Sequence, residues 1–146
     1  MVRQNTGDFE NYGFELSAKY FLNPFWRFSA NYSYLNMNKP VTGAPENKIC
    51  LSADYASDRL SSGVSLQQVS GLYILTGDNP EKESYTLLNA VCSYKVLDFM
   101  TVFVKGENLL AQEYQTYSGF YMPKATFTGG VKFNFDSLRP RNRSNR

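Results

Sequence analysis

From Tyr12 to Leu22 the chain alternates, with Tyr12, Phe14, Leu16, Ala18, Tyr20 and Leu22 on even positions and Gly13, Glu15, Ser17, Lys19 and Phe21 between them. A period of two held over that length predicts a strand with one apolar and one polar face. Asn23-Pro24-Phe25 interrupts it, because proline has no N–H to give a ladder. The alternation then resumes with Trp26, Phe28, Ala30, Tyr32 and Tyr34 against Arg27, Ser29, Asn31 and Ser33. Two long strands around a tight turn predict a hairpin.

Residues 36–46, rich in Asn, Pro and Gly, have no period and read as a longer loop. A third strand sets Ile49, Leu51, Ala53 and Tyr55 against Lys48, Cys50, Ser52 and Asp54, and Ser57-Asp58-Arg59 turns the chain into a fourth. The fourth strand is expected from about Leu60 to Ser70; Leu60, Val64 and Leu66 share a face, and the phase slips at Gln67-Gln68, where a β-bulge is expected. Gly71 to Glu83 reads as a second long loop.

A fifth strand, from about Tyr85 to Val96, places Leu88, Ala90, Cys92, Tyr94 and Val96 on one face. After the turn Leu97-Asp98-Phe99, Met100, Val102 and Val104 alternate with Thr101, Phe103 and Lys105 up to Gly106-Glu107-Asn108. A third long loop, from about Leu109 to Met122, carries Tyr114, Tyr117, Phe120 and Tyr121. The last strand sets Phe127, Val131, Phe133 and Phe135 against Thr126, Thr128, Lys132 and Asn134. The predicted fold is all-β: an antiparallel, up-and-down set of seven strands whose connections alternate short and long. Outer-membrane barrels have that asymmetry, with short periplasmic turns and long extracellular loops.

A soluble sandwich also alternates, so the period alone does not decide between the two. Strand length does better. Eleven residues at ~3.3 Å each, tilted ~40°, rise about 28 Å and cover the ~25 Å apolar band of a barrel wall. Strands of soluble folds usually stop at about 5 to 6 residues. The strand charges add to this, because Glu15, Lys19, Arg27, Lys48, Asp54, Lys95, Lys105, Glu107 and Lys132 all fall on the polar parity. A lipid-facing charge costs about 2 to 4 kcal/mol near the bilayer midplane. Finally, Tyr20, Phe21, Phe25 and Trp26 flank the first short turn, and Tyr94 and Phe99 the third. Amphipathic rings suit the membrane–water boundary.

Composition sharpens the picture. The 146 residues include 11 Phe, 11 Tyr and one Trp, an aromatic share of 16%, and no His, which removes the commonest general base and metal ligand. No cofactor is expected. Mean hydropathy is −0.40, and no apolar run approaches the ~18 residues of a membrane helix. The first residues lack the apolar stretch of an export signal. Lys and Arg number 15 against 13 Asp and Glu, but four of the positive charges fall in the last eight residues. Without residues 136–146 the balance is 11 against 12, so a nucleic-acid partner is not expected. Cys50 and Cys92 lie on the third and fifth strands, about 9 to 10 Å apart at best and on opposite faces. Two free thiols are predicted, since a disulfide needs Cα atoms within ~7 Å.

Several short segments resemble a known family. Asn31-Tyr-Ser-Tyr34, Pro45-Glu-Asn-Lys48, Tyr85-Thr-Leu-Leu-Asn-Ala90, Gly106-Glu-Asn-Leu109 followed by Glu113-Tyr114, and Met122-Pro123 with Phe127-Thr-Gly-Gly-Val-Lys-Phe133 are similar, in order and spacing, to the C-terminal barrel portion of TonB-dependent outer-membrane receptors. Thr128 to Phe135 also resembles the terminal signal of outer-membrane barrels, carried by Thr128, Gly130, Phe133 and Phe135. That implies recognition by the barrel insertion machinery, although such chains usually end at the final aromatic and here residues 136–146 follow.

The resemblance implies a receptor in the outer membrane of a Gram-negative bacterium, with a barrel of about 22 strands plugged by an N-terminal domain. Such a receptor imports a scarce nutrient, such as a siderophore, haem, cobalamin or an oligosaccharide, with energy delivered by TonB. Seven strands leave two bare edges in lipid, where each unpaired backbone group costs several kcal/mol. The chain is therefore expected to be a barrel segment over residues 9–135, with 1–8 a remnant of an extracellular loop and 136–146 a disordered basic tail. Its partners would be outer-membrane lipid, the insertion machinery and a small nutrient, with plug and TonB reached only through other parts of the receptor. Candidate ligand contacts are Tyr73, Tyr114, Tyr117, Phe120 and Tyr121, whose rings offer broad apolar contact with a polar handle. The alternatives are a small closed outer-membrane barrel of structural or adhesive role and a soluble β-rich binding module. An enzyme is not expected, because no His is available to activate a serine.

Overall fold

The alternating segments form one antiparallel sheet. The computed structural model describes residues 10–134; the expected loop remnant 1–8, the tail 136–146 and Phe135 of the terminal signal lie outside the described residues. The strands are β1 (Asn11–Phe21), β2 (Trp26–Met37), β3 (Pro45–Ala56), β4 (Leu60–Leu75), β5 (Glu81–Leu97), β6 (Met100–Glu107), β7 (Gln115–Tyr117), β8 (Phe120–Tyr121) and β9 (Thr126–Phe133). Seven of them pair in the order β1-β2-β3-β4-β5-β6-β9, and β7 and β8 make a small separate hairpin. The large sheet is open, with β1 and β9 at its edges.

Register makes the two faces continuous across the sheet. Ala18 lies opposite Ala30, Ala30 opposite Leu51, Leu51 opposite Leu66 and Leu66 opposite Leu88. On β6 and β9, Val102 lies opposite Val131. The polar parity runs equally unbroken, with Glu15 opposite Ser33, Ser33 opposite Lys48, and Lys105 opposite Val91 and Thr128. A slip of one residue in any ladder would carry charges onto the apolar face.

That apolar face is bare. Leu16 is 62% exposed, Val104 53% and Phe127 73%. The buried apolar side chains among the described residues are Val69, Leu72, Tyr73, Ile74 and Tyr114, all in upper β4 or the loop after β6. A sandwich would instead bury the inner face of its sheet against a second sheet ~10 Å away.

The short turns are tightly built. Asn23 Oδ1 accepts the N–H groups of Phe25 and Trp26, each at 2.9 Å, and the Ser57 hydroxyl accepts the Leu60 N–H at 3.2 Å. Neighbouring turns are stitched together, since Ala56 N–H donates to the Phe25 carbonyl, Lys95 N–H to that of Arg59 and Asn134 N–H to that of Phe99, each at 2.8 Å. Trp26 sits at this end with Tyr55, ring centroids 5.1 Å apart, and stacks on Phe28 at 5.9 Å.

The opposite end departs from expectation in the first long loop, which shrinks from 36–46 to 38–44 because β2 runs to Met37 and β3 begins at Pro45, and in three places further along the chain. First, no bulge occurs at Gln67-Gln68: these residues pair in register with Cys50 and Ile49 and with Leu87 and Thr86. Gln68 is a polar residue on the apolar parity. The register shifts lie between Val69 and Leu72 and between Tyr73 and Leu75, around Gly71, whose φ of +67° suits a residue without Cβ. Second, β4 therefore continues to Leu75 and β5 begins at Glu81, so the second long loop shrinks from 71–83 to 76–80 and Tyr73 lies on a strand. Third, the loop after β6 is not irregular throughout, because it contains the β7–β8 hairpin.

Candidate functional site

The end of the sheet that carries the longer loops is where a ligand can be met, because there the wall gains depth. β5 runs for 17 residues whereas β6 stops after eight, so the upper half of β5 has a free edge that would leave backbone groups unpaired. The loop from 108 to 125 covers it. Leu109 N–H donates to the Leu88 carbonyl at 2.8 Å, and Gln112 Oε1 accepts the Thr86 N–H at 3.2 Å.

Asn108 is the pivot of this arrangement. It is 5% exposed and has a φ of +50°, a left-handed conformation that Asn tolerates better than most residues. Its N–H donates to Asn89 Oδ1 at 2.9 Å. Its side-chain amide donates to the carbonyls of Gln112 at 2.9 Å and Pro123 at 3.0 Å, and its Oδ1 accepts the Gln112 N–H at 3.0 Å. One side chain thus ties the two arms of the loop together. The ion pair of Lys124 with Glu113 joins them again, and the hydrogen bond from Lys124 holds the Glu113 carboxyl below its usual range.

The hairpin at the tip of this loop folds back onto the sheet. Ser118 N–H donates to the Ile74 carbonyl at 3.0 Å, and the Tyr114 ring lies 4.1 Å from that of Tyr85 on β5. Burial pushes the Tyr114 phenol above its ordinary range, with the Glu107 carboxylate adding to the effect. The loop at 38–44 joins the same cluster, because Gly43 N–H donates to the Tyr73 carbonyl at 2.8 Å.

The sequence-predicted contacts fall into two groups. Tyr73 and Tyr114 are each 9% exposed. Tyr73 donates its hydroxyl to Glu46 Oε1 at 3.1 Å, and Lys82 lies over its ring at 4.7 Å while also donating to Glu46 at 2.7 Å. Tyr117, Phe120 and Tyr121 are 53%, 71% and 72% exposed; the Tyr117 hydroxyl lies beside Gly43 of the 38–44 loop. Sequence reasoning passed over Glu46, Lys82 and Asn108. The signal for Asn108 was present, in a Gly-Glu-Asn run ending a strand, but its burial depends on a loop fold that has no period.

Thr128, Gly130 and Phe133 of the terminal signal all lie on β9, opposite Lys105, Phe103 and Met100. A Cβ on Gly130 would come within 2.8 Å of the Phe103 ring, so glycine makes room for an aromatic on the polar face. Both cysteines are free. Cys50 lies opposite Gln67 on the polar parity and Cys92 opposite Val104 on the apolar one. Among the described residues no group of His, Cys, Asp or Glu could hold a metal ion.

An open antiparallel wall with one bare apolar face, one charged face, stitched short turns and a built-up loop end defines a barrel-wall protein. The family described as "TonB dependent receptor-like, beta-barrel" matches residues 1–109, and the chain belongs to it. This is a family of receptors and transporters of the Gram-negative outer membrane rather than of enzymes. Among solved structures, the chain is similar to the siderophore receptor PiuA from Acinetobacter baumannii, with a TM-score of 0.71 and 21% identity over 86% of this chain. It is also similar to the closed form of the ferric-catecholate import receptor Fiu from Escherichia coli K12, with a TM-score of 0.65 and 19% identity over 83% of this chain. The chain spans 22% of the first receptor and 20% of the second. No curated protein matches it.

Proposed function

We propose that this chain forms part of the wall of an outer-membrane receptor that binds a scarce nutrient outside a Gram-negative cell and imports it with energy delivered by TonB. A ferric siderophore is the cargo we favour, since PiuA is a siderophore receptor and Fiu a ferric-catecholate import receptor. The observation that carries the reading is the family match over residues 1–109, joined to a register that keeps Glu15, Lys48, Asp54, Lys105 and Lys132 on one face.

In this reading the apolar face meets lipid and the polar face lines the lumen. The loops at 38–44, 76–80 and 108–125 lie outside the cell, with Tyr117, Phe120 and Tyr121 as direct ligand contacts and Tyr73 and Tyr114 as contacts reached at the base of the same cluster. Contact with TonB belongs to a plug supplied by sequence other than this chain. Thr128, Gly130, Phe133 and Phe135 serve the barrel insertion machinery, Phe133 offering its ring on the apolar parity of a strand whose edge is open until closure. Uptake of labelled ferric siderophores by iron-limited cells tests the proposal. Cells lacking the protein are expected to lose TonB-dependent uptake of at least one of them; unchanged uptake of catecholate, hydroxamate and carboxylate types alike would refute a siderophore cargo.

A further inference from the structure

Met122 stands apart from the other methionines of the described residues. Met37 ends β2 opposite Asn11, and Met100 opens β6 opposite Phe133; both are half-buried within the sheet. Met122 follows β8 and is 37% exposed. The Thr116 hydroxyl on β7 donates to its Sδ at 3.9 Å, a donor that neither Met37 nor Met100 has among the described residues.

The sulfur sits where the loop is tied. Met122 N–H donates to the Tyr114 carbonyl at 2.9 Å, which closes the base of the β7–β8 hairpin. The next carbonyl along, that of Pro123, accepts the Asn108 amide at 3.0 Å. Between Thr116 and Met122 the hairpin carries Tyr117, Phe120 and Tyr121, so a change in the attraction of these two side chains acts directly on the segment that bears those rings.

A thioether is a weak acceptor, and the present contact holds the hairpin loosely. Oxidation changes that. A sulfur lone pair attacks one oxygen of hydrogen peroxide, the S–O bond forms as the O–O bond breaks, and the proton of the transferred oxygen leaves with the departing hydroxide as water. Sulfur gives up two electrons and the peroxide gains them. The product is a sulfoxide, polar where the thioether was apolar. With sulfur and hydroxyl 3.9 Å apart, there is room for that oxygen to lie within the about 2.5–3.0 Å of an O–H···O bond. Methionine oxidation disrupts where it puts a polar oxygen into an apolar contact. Here a hydroxyl already faces the sulfur and the side chain is open to solvent, so the oxygen gains a partner instead.

We infer that Met122 is an oxidation site for hydroperoxides and that its sulfoxide, held by the Thr116 hydroxyl, fastens the β7–β8 hairpin. The site stands whatever the cargo; only its bearing on ligand contact, through the rings of the same hairpin, rests on the receptor reading.

The test exposes the purified protein in detergent micelles to hydrogen peroxide and follows it by peptide mass spectrometry and amide exchange. Cys50 and Cys92 are replaced by serine, because thiolates oxidise as well. Met122 is expected to oxidise at least threefold faster than Met37 and Met100, and exchange over residues 115–122 should then slow at least threefold. Methionine sulfoxide reductases should restore the original rate. Thr116→Val should oxidise at Met122 as the parent does yet show no slowing, while Thr116→Ser, which keeps the hydroxyl, should slow like the parent. Met122→Leu should show no response to peroxide over that span, and it keeps the test open should Thr116→Val not fold. Equal oxidation of the three methionines, or exchange that is unchanged or faster in the oxidised parent, would overturn the site; so would slowing that survives Thr116→Val or Met122→Leu. None of these readouts involves uptake, so loss of the import reading leaves them untouched, and their failure leaves that reading standing.

Discussion

Leu51 on β3 and Val69 on β4 are apolar residues of adjacent strands, yet Leu51 is 46% exposed and Val69 only 3%. The difference is one of face as well as level, since Leu51 lies opposite Leu66 on the bare apolar parity and Val69 opposite Lys48 on the polar one. Leu51 belongs to the part of the sheet near its middle, where alternation is strict and one face has nothing packed on it. Val69 belongs to the upper part, where the loop after β6 folds down and strand, loop and hairpin make a small core of their own. The first region is organised for an apolar solvent, and the second is organised like a water-soluble domain. A wall strand of 17 residues at ~3.3 Å each, tilted ~40°, rises about 43 Å, well beyond the ~25 Å apolar band, so both environments meet along β5.

The two regions should fail differently. The largest effect is expected from a charge placed at mid-height on the bare face. Leu51→Arg should lower stability in lipid vesicles by about 2–4 kcal/mol, while Ser52→Arg, one residue along on the polar face, should change it by less than about 0.5 kcal/mol; urea unfolding of both variants compares them. Equal effects would mean that the faces are not lipid and lumen.

In the upper region the sensitive residue is Asn108. Asn108→Ala leaves the Gln112 N–H and two carbonyls without partners, and docking of the loop should weaken by about 1–3 kcal/mol. Protease cleavage within 108–125 and faster amide exchange at Gln112 would report it, with the strands below unaffected. Tyr114→Leu keeps apolar bulk but removes the ring pair with Tyr85, and the same exchange measurement should show a smaller loss of about 0.5–1.5 kcal/mol. The smallest effect is expected at Asp54. Its pair with Arg27 at 3.2 Å joins side chains 37% and 55% exposed, so Asp54→Asn should cost less than about 1 kcal/mol in urea unfolding.

How far the sequence could be read follows the same division. The seven sheet strands, their order and the parity of their charges were legible, because a bare apolar face and a wetted polar one impose a period of two that residues 12–20 and 26–34 obey. Above that zone the period loses its cause. Lys82 occupies the same parity as Leu88 and Ala90 yet pays no lipid cost, since it lies at the loop end beside Tyr73 and Glu46. The extensions of β3 down to Pro45, β4 to Leu75 and β5 to Glu81 were therefore hidden in segments that look like loops. Gln67-Gln68 misled in the opposite sense, because a polar residue on the apolar parity near the loop end needs no bulge to explain it. The shift at Gly71 left only a single glycine as its trace. Of the candidate contacts, the aromatic character of the third loop was readable, but its sorting into buried Tyr73 and Tyr114 and exposed Tyr117, Phe120 and Tyr121 depends on hydrogen bonds made by Asn108 and Gln112.

The most direct measurement is a spin-label accessibility scan along β2 in lipid vesicles. Single cysteines are placed at each position from 27 to 34 in a background with Cys50 and Cys92 replaced by serine. Labels at Phe28, Ala30, Tyr32 and Tyr34 should be relaxed mainly by oxygen, which concentrates in lipid, and labels at Arg27, Ser29, Asn31 and Ser33 mainly by a water-soluble nickel complex. A period of two with that phase is the expected result. Uniform access to the nickel complex, or the reverse phase, would contradict a membrane wall with its charges on the lumen side.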